Sequence, residues 1–194
     1  MFPGKIYTQR REKLRQLVGD GLILIAGNEE SAMNYKANTY HFRQDSSFLY
    51  YFGINKPGFY GICDSESGID TLFGNDFDID DIIWMGEQPQ VKELASNVGA
   101  GASASLNELS SVLKSAISSG RKIHILPPYR GDHQVALSNL ASSLHHAHRE
   151  ASAWRFSEVH LETIWLICSS CRGRGPPPLH FQRFQSCSHV IGIR

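Results

Sequence analysis

Apolar and polar residues alternate in blocks that predict helices and strands in turn. Apolar residues at helical spacing predict helices in residues 5–18, 106–117 and 132–144, and short apolar runs predict strands at 22–26, 59–63, 69–73 and 122–126. Gly, Pro, Asn and Asp residues separate these blocks. Helices and strands that alternate with short links favour the α/β class, with a mixed β-sheet flanked by helices.

The first predicted helix has one apolar face and several basic residues. Leu14, Leu17 and Val18 share the apolar face, so we expect that face to be buried. The basic residues are expected to lie mostly elsewhere on the helix: Arg10, Arg11, Lys13 and Arg15.

Three further segments carry weaker or local signals. The strands at 59–63 and 69–73 are joined by a tight polar turn and predict a β-hairpin. Residues 91–98 suit a short helix or a loop, and the Gly-Ala run at 99–102 is expected to be flexible. Ser105 precedes the helix at 106–117 and is a plausible N-cap.

An aromatic-rich segment at residues 40–53 predicts a short helix with a polar entry. Asp45 or Ser46 can cap its first turn, because either side chain accepts a hydrogen bond from a free backbone N–H. Phe48, Leu49 and Phe52 fall on one apolar face, and Gly53 stands where helices often end in a left-handed residue. On pattern alone, this is an aromatic core helix.

Composition and charge limit the class of protein. Hydrophobic residues make up 41% and charged residues 20%, as in globular proteins, and the formal net charge is zero. Bulk charge therefore gives no argument for nucleic-acid or membrane binding. No apolar run reaches the length of a membrane span, and the N-terminus lacks an apolar signal core. We expect a soluble, cytoplasmic protein.

Composition changes sharply near residue 141. All seven Lys and all nine Asp precede this point, whereas three of the four Cys and six of the nine His follow it. We therefore predict a domain at residues 1–144 and an atypical tail at 145–194 that is irregular or disordered. An out-of-frame coding segment is one explanation of such a tail, and a genuine alternative end is another.

Two segments carry residues that are typical of metal sites. The tail residues Cys168, Cys171, Cys187 and His189 have the outline of a zinc site, although the second pair is spaced more tightly than in zinc knuckles. Alternating Asp residues from Asp76 suggest a calcium loop. The Gly that an EF-hand needs at its sixth position is Asp81 here, which favours a solvated turn or a first helical turn instead.

Two motifs carry a family resemblance. Residues 43–53, Arg-Gln-Asp-Ser-Ser-Phe-Leu-Tyr-Tyr-Phe-Gly, resemble the R-Q-[ND]-S-x-F-x-Y-[LF]-[TF]-G signature of the N-terminal domain of Xaa-Pro aminopeptidases, the aminopeptidase P family. Residues 80–86 resemble that family's acidic-x-x-W-x-G segment, in the right order. The resemblance covers roughly residues 5–142. The motif residues it marks are Arg43, Gln44, Asp45, Ser46, Gly53, Trp84 and Gly86.

The resemblance implies a domain that supports catalysis rather than performing it. Members of the family release an N-terminal residue that precedes proline, using two divalent ions, usually manganese, held by Asp, His and Glu ligands in a C-terminal domain. No residue here aligns with those ligands, so we assign no catalytic or metal residue and expect the isolated chain to be inactive. The implied partners are the catalytic domain, neighbouring subunits of a homo-oligomer and proline-containing peptides.

Two residues have alternative interpretations under this resemblance. Trp84 matches the Trp that reaches a neighbouring subunit's active site, and the alternative is an ordinary, partly buried aromatic. Arg43 either holds the turn through carbonyls or Asp45, or faces the catalytic domain. Two departures bear on substrate contact: Glu87-Gln88 replaces the usual basic pair, and Phe52 replaces the usual Thr.

Three functional hypotheses remain open at this point. The first is the N-terminal domain of an Xaa-Pro aminopeptidase. The second is a non-catalytic module of the same fold that binds proteins or peptides without cleaving them. The third is a small zinc-binding protein built on the Cys and His residues of the tail.

Overall fold

The computed structural model of the protein describes residues 2–35, 37–76, 86, 88–126, 130–147 and 156–158, with the backbone alone at 140–147 and 156–158. These residues form five helices and six strands. The helices are α1 (Gly4–Val18), α2 (Ser46–Tyr51), α3 (Val91–Asn97), α4 (Leu106–Ser118) and α5 (Gly131–Ala147). The strands are β1 (Leu22–Ala26), β2 (Tyr60–Asp64), β3 (Asp70–Phe73), β4 (Ala102–Ala104), β5 (Ile123–Ile125) and β6 (Phe156–Glu158).

All six strands belong to one mixed sheet, in the order β4-β3-β2-β1-β5-β6. Strands β1, β2 and β3 pair antiparallel, and the predicted hairpin is β2–β3, with Tyr60 opposite Phe73 and Cys63 opposite Asp70. The outer pairs, β3–β4, β1–β5 and β5–β6, are parallel. The predicted class, a mixed sheet flanked by helices, is confirmed.

Strand β1 is covered on both faces, as its continuous apolar run predicts. One face carries Leu22 and Leu24, which join a core cluster with residues of α4, and Leu137 of α5 packs against that cluster. Because side chains alternate along a strand, Ile23 and Ile25 lie on the opposite face, and both are buried. The residues of α4 in this core cluster are Leu109, Leu113 and Ala116.

The helix signals predicted from local sequence are present. The side chain of Ser105 accepts a hydrogen bond at the start of α4, and Glu108 completes a capping box there. Residues 91–97 form helix α3, so of the two alternatives for this segment the helix is confirmed.

Two strands were not predicted. Strand β4 begins at Ala102, the last residue of the Gly-Ala run that was expected to be flexible, and it pairs in parallel with β3. Strand β6 lies within the predicted tail and pairs with β5. A three-residue strand is too short to show the alternation of apolar and polar residues that predicts a strand. Whether such a segment forms a strand therefore depends on the strand with which it pairs. The boundary at residue 144 and the nature of the tail stay predictions, because residues 148–155 and 159–194 lie outside the described part.

The predicted buried face of α1 is wrong in one respect. Its buried residues are Tyr7, Arg11 and Leu14, whereas Leu17 is 46% exposed. The three buried residues are spaced i, i+4 and i+7, so they form one stripe along the helix. A basic residue therefore occupies the middle of the helix face that packs into the protein.

Candidate functional site

The aromatic-rich motif forms α2 and the turn before it. Asp45 is the N-cap, and its Oδ1 accepts hydrogen bonds from the backbone N–H groups of Ser47 at 2.8 Å and Phe48 at 2.9 Å. This settles the choice between Asp45 and Ser46, since Ser46 is exposed and lies in the first turn. Asp45 is itself buried, so the motif's carboxylate is committed to the helix end.

Gln44 joins three separate pieces of backbone. Its Oε1 accepts from the backbone N–H of Asn28 at 2.6 Å and from that of Asp45 at 2.9 Å. Its Nε2 donates to the carbonyl oxygen of Lys56 at 2.6 Å. The side chain is 2% exposed, so these bonds lie in the interior, where an unpaired polar group is costly. Gln44 thus fixes the loop after β1 against the loop before β2.

Gly53 ends α2 in the predicted left-handed conformation, with φ +68°. Its backbone N–H donates to the carbonyl of Leu49 at 3.0 Å. A Cβ at this position would lie 2.2 Å from the ring of Tyr7. Glycine is therefore needed both for the backbone angle and for the close approach of α1.

Phe52, one of the two departures from the family pattern, is fully buried and stacks on Phe48 with 5.3 Å between ring centroids. The larger side chain is accommodated because β2 carries Gly61 beneath it. A Cβ on Gly61 would lie 2.1 Å from the Phe52 ring. The change from Thr to Phe is therefore a change inside the core.

Arg11 is a buried key residue that no local sequence pattern predicts. Its side chain has no exposed surface, and the guanidinium lies 4.9 Å from the centroid of the Phe52 ring. It donates to the carboxylate of Asp70 at 2.7 Å, to the carbonyl of Tyr51 at 2.7 Å, and to the carbonyls of Val98 and Gly99 at 3.0 and 2.8 Å. One cation therefore holds the ends of α2 and α3 to strand β3.

Asp70 balances this charge from β3. It is 4% exposed and also accepts a hydrogen bond from Arg15. Burial, with the charge of Asp70 next in importance, raises the pKa of the nearby Cys63 thiol well above its usual value. Cys63 is therefore a protonated core side chain and not a reactive thiolate.

Arg43 is a motif residue that is placed differently from Gln44 and Asp45. The Arg43 side chain is exposed, and it makes no hydrogen bond or ion pair with any residue that the structure describes. Its carbonyl oxygen accepts from Asn28 Nδ2 at 2.7 Å, so the backbone is fixed while the guanidinium faces outward. Both interpretations of the Arg43 guanidinium, a hold on the turn and a contact with the catalytic domain, stay predictions.

Residues 77–85, which include Trp84, lie outside the described residues. Residues on either side of this segment are described. Asp76 Oδ1 accepts from the backbone N–H of Val91 at 2.7 Å, which joins the two ends of the segment. Lys56 Nζ donates to Gln88 Oε1 at 2.9 Å. Gly86 is exposed with φ +76°, a value that favours glycine. The second motif is thus tied at its base to the same loop that Gln44 holds.

A set of titratable groups lies where β1 ends and α5 begins. Burial raises the pKa of Glu29, an effect that His133 opposes and Asp132 reinforces. Burial also raises the pKa of Tyr60, with Glu29 and Asp132 adding to it. His133 Nε2 lies 3.0 Å from the carbonyl oxygen of Gly27 and donates to it, which connects the start of α5 to the end of β1.

A groove of about 440 Å³ lies between α4 and the sheet. Its floor is apolar, and serines of α4 line one wall. Asp64 and Arg121 form an ion pair at its end. Burial alone would raise the pKa of Asp64, but the hydrogen bond from Arg121 and the backbone N–H of Glu66 lower it to about 2. The carboxylate of Asp64 at the end of the groove is therefore charged at neutral pH and paired with Arg121.

Metal chemistry finds no support in the described part of the chain. No group of three or more His, Cys, Asp or Glu residues there is arranged to hold a metal ion. The weaker zinc hypothesis rests on Cys168, Cys171, Cys187 and His189, which lie outside the described residues, as do most of the alternating Asp residues. Among the described helices, none is long and apolar enough to cross a membrane.

Comparison with known proteins agrees with the motifs and the fold. Residues 7–126 match the model of the family described as aminopeptidase P, N-terminal domain. Xaa-Pro dipeptidase from Homo sapiens is 27% identical over 107 residues, which are 55% of this chain and 22% of that protein. The match therefore spans less than a quarter of that relative's length.

Solved structures show the same fold. Aminopeptidase P from E. coli superposes with a TM-score of 0.63 at 20% identity, covering 78% of this chain and 34% of that one. Aminopeptidase PepP from Pseudomonas aeruginosa gives a TM-score of 0.67 at 18% identity, covering 81% and 36%. With the family model matching more than half of its residues, the chain belongs to the aminopeptidase P N-terminal domain family.

Proposed function

We propose that this chain is the N-terminal domain of a manganese-dependent Xaa-Pro aminopeptidase, which removes N-terminal residues that precede proline. The domain contributes a wall of the substrate pocket and contacts between subunits. The metal ions and their ligands belong to the catalytic domain of the enzyme. Alone, these 194 residues bind no manganese pair and cleave no peptide.

This proposal rests on the hydrogen bonds that connect the first motif to the residues flanking the second. Gln44 holds the Lys56 loop, and Lys56 in turn holds Gln88, just after the W-x-G segment. Asp76 and Val91 close the base of the same segment. The buried Gln44 side chain of the first motif thus connects through Lys56 to Gln88, which follows the Trp-bearing segment. Such an arrangement suits a domain that presents one side chain to a partner.

Trp84 is the side chain that we propose is presented. An indole offers a large, rigid apolar face and one N–H donor, which suits contact with a proline ring and a peptide carbonyl. A pocket wall that binds substrate and transition state alike changes KM more than kcat.

A chimeric enzyme tests the proposal. Residues 1–147, which extend to the end of α5, replace the N-terminal domain of E. coli aminopeptidase P, and hydrolysis of an Xaa-Pro peptide is followed with manganese present. Trp84→Ala is expected to raise KM about tenfold, equivalent to about 1.4 kcal/mol, with a smaller change in kcat, while Trp84→Phe retains most of the affinity. Leu17→Ala, at an exposed position of α1, serves as the control. Equal KM values for the parent chimera and Trp84→Ala would contradict the pocket role.

A further inference from the structure

The groove between α4 and the sheet is lined by residues that belong to neither family motif. Its volume of about 440 Å³ falls within the usual range of small-molecule pockets, about 300–1,000 Å³. Leu22 and Ile62 form its buried floor, on the neighbouring strands β1 and β2. Ile69, beside the hairpin turn, and Val112, on α4, also line the groove, and they are 50% and 37% exposed. The apolar part of a ligand would therefore contact the floor and cover two exposed side chains.

The wall that α4 contributes is polar. Ser111, Ser115 and Ser119 follow one another at intervals of four residues, so they lie along one side of the helix. A serine hydroxyl can donate one hydrogen bond and can accept others. The Oγ of Ser119 donates to the backbone carbonyl of Ser115 at 2.9 Å, so towards a ligand it acts as an acceptor. This hydroxyl favours a ligand group that donates.

The end of the groove has an excess of negative charge. Asp64 and Glu66 share one cation, because Arg121 donates to Asp64 and its Nε lies 2.9 Å from Glu66 Oε2. The backbone N–H groups of Glu66 and Ser67 hold Asp64 Oδ1 in place, at 2.9 and 3.2 Å. The Asp64 pKa of about 2 keeps this carboxylate ionised at neutral pH. Two carboxylates and one guanidinium leave a net charge of −1.

Helix α4 adds to this negative potential. The helix ends at Ser118, and Ser119 and Arg121, which follow it, line the groove. The C-terminal end of a helix carries a partial negative charge that favours cations. The backbone N–H of Arg121 donates to the carbonyl of Ala116 at 2.9 Å, which fixes this residue against the helix end. The carboxylates, the helix end and the accepting hydroxyl therefore all favour a ligand with a positive charge and N–H donors.

We propose that this groove is a binding site for small molecules with an apolar body and one ammonium group. The apolar body lies on Leu22 and Ile62. The ammonium group donates to Ser119 Oγ and lies near Glu66, whose side chain is 55% exposed against 17% for Asp64. A ligand of about a dozen nonhydrogen atoms is expected to bind with a Kd on the order of 1 mM. The proposed role of Trp84 uses none of these residues, so each proposal can fail without the other.

Backbone amide chemical shifts of the full, ¹⁵N-labelled chain test this with three probes that share one apolar body. The probes are 4-phenylbutylamine, 4-phenylbutanol and 4-phenylbutyrate, whose head groups are positive, neutral and negative. The amine is expected to shift amides within residues 64–71 and 111–121 saturably, with a Kd at least about threefold lower than that of the alcohol, as for a partly exposed charge interaction. The carboxylate is expected to bind most weakly, because the net charge at the end of the groove repels it.

Two variants locate the site, each with a matched control. Ser115→Phe fills the groove and is expected to abolish the saturable shifts, whereas Ser118→Phe, at an exposed position of α4 outside the groove lining, leaves them unchanged. Glu66→Gln removes one negative charge and is expected to raise the Kd of the amine about threefold but not that of the alcohol. Glu93→Gln, at an exposed position of α3, is expected to change neither. Thermal melts monitored by circular dichroism establish that each variant is folded.

Two kinds of result overturn the proposal. An amine that gives no saturable shift up to about 20 mM, or that binds Ser115→Phe as tightly as the wild type, shows that the groove is not a binding site. An amine that binds no more tightly than the alcohol or the carboxylate, or that Glu66→Gln does not weaken, shows that the groove does not select a cation.

Discussion

Arg11→Met is expected to destabilise the domain by about 3–5 kcal/mol, the range seen when one partner of a buried ion pair is removed. The substitution keeps an unbranched apolar chain of similar length but removes every donor. It leaves the Asp70 carboxylate with Arg15 as its remaining described ion-pair partner, and it leaves the carbonyls of Tyr51, Val98 and Gly99 without this donor in the interior. The effect is large because one side chain serves three elements.

Urea unfolding of the two proteins measures this difference. Arg10→Met is the matched control, because Arg10 is the neighbouring arginine, is only partly buried, and donates to a single carbonyl, that of Tyr50, at 2.8 Å. We expect the control to lose about 1–2 kcal/mol, from this hydrogen bond and from the cation–π contact of Arg10 with the Tyr50 ring, whose centroid lies 4.1 Å away. A loss at Arg11 no larger than the loss at Arg10 would show that the buried network does not hold the domain together.

Gln44→Met is expected to cost about 3 kcal/mol. Its three hydrogen bonds disappear, and the backbone N–H groups of Asn28 and Asp45 and the carbonyl of Lys56 lose a partner, at about 1–3 kcal/mol for each buried group left unsatisfied. Arg43→Met, the same substituent one residue earlier in the motif, changes an exposed side chain and is expected to stay within about 0.5 kcal/mol. Thermal denaturation at low protein concentration compares the two. Equal losses of stability at both positions would contradict the distinction between Gln44 as a buried structural residue and Arg43 as an exposed one.

The features that sequence predicted best depend on local chemistry. Asp45 caps α2 through groups two and three residues away, and Gly53 ends it through its own backbone angle, so a short window of sequence contains both causes. The strands of the hairpin and the continuous apolar run of β1 are also local signals. They were sufficient to predict the class of fold.

Arg11 and Gln44 could not be assigned in this way, because their partners are distant in sequence. Arg11 bonds residues 40, 59, 87 and 88 positions away, and Gln44 bonds residues 12 and 16 positions away. The available signal for Arg11 was its place between Tyr7 and Leu14 on one stripe of α1, but a basic residue on such a stripe ordinarily reaches solvent. Strand β4 could not be predicted from its own residues either, because it forms by pairing with β3. The roles of Trp84 and of the tail residues stay predictions.

The central claim is that these 194 residues support catalysis in a larger enzyme and hold no catalytic centre themselves. Incubation of the purified chain with an Xaa-Pro peptide and added manganese, followed by chromatographic detection of the released N-terminal residue, tests it most directly. We predict no release above the rate of the peptide and metal alone. Manganese-dependent release that co-purifies with the chain and is lost on chelation would contradict the claim.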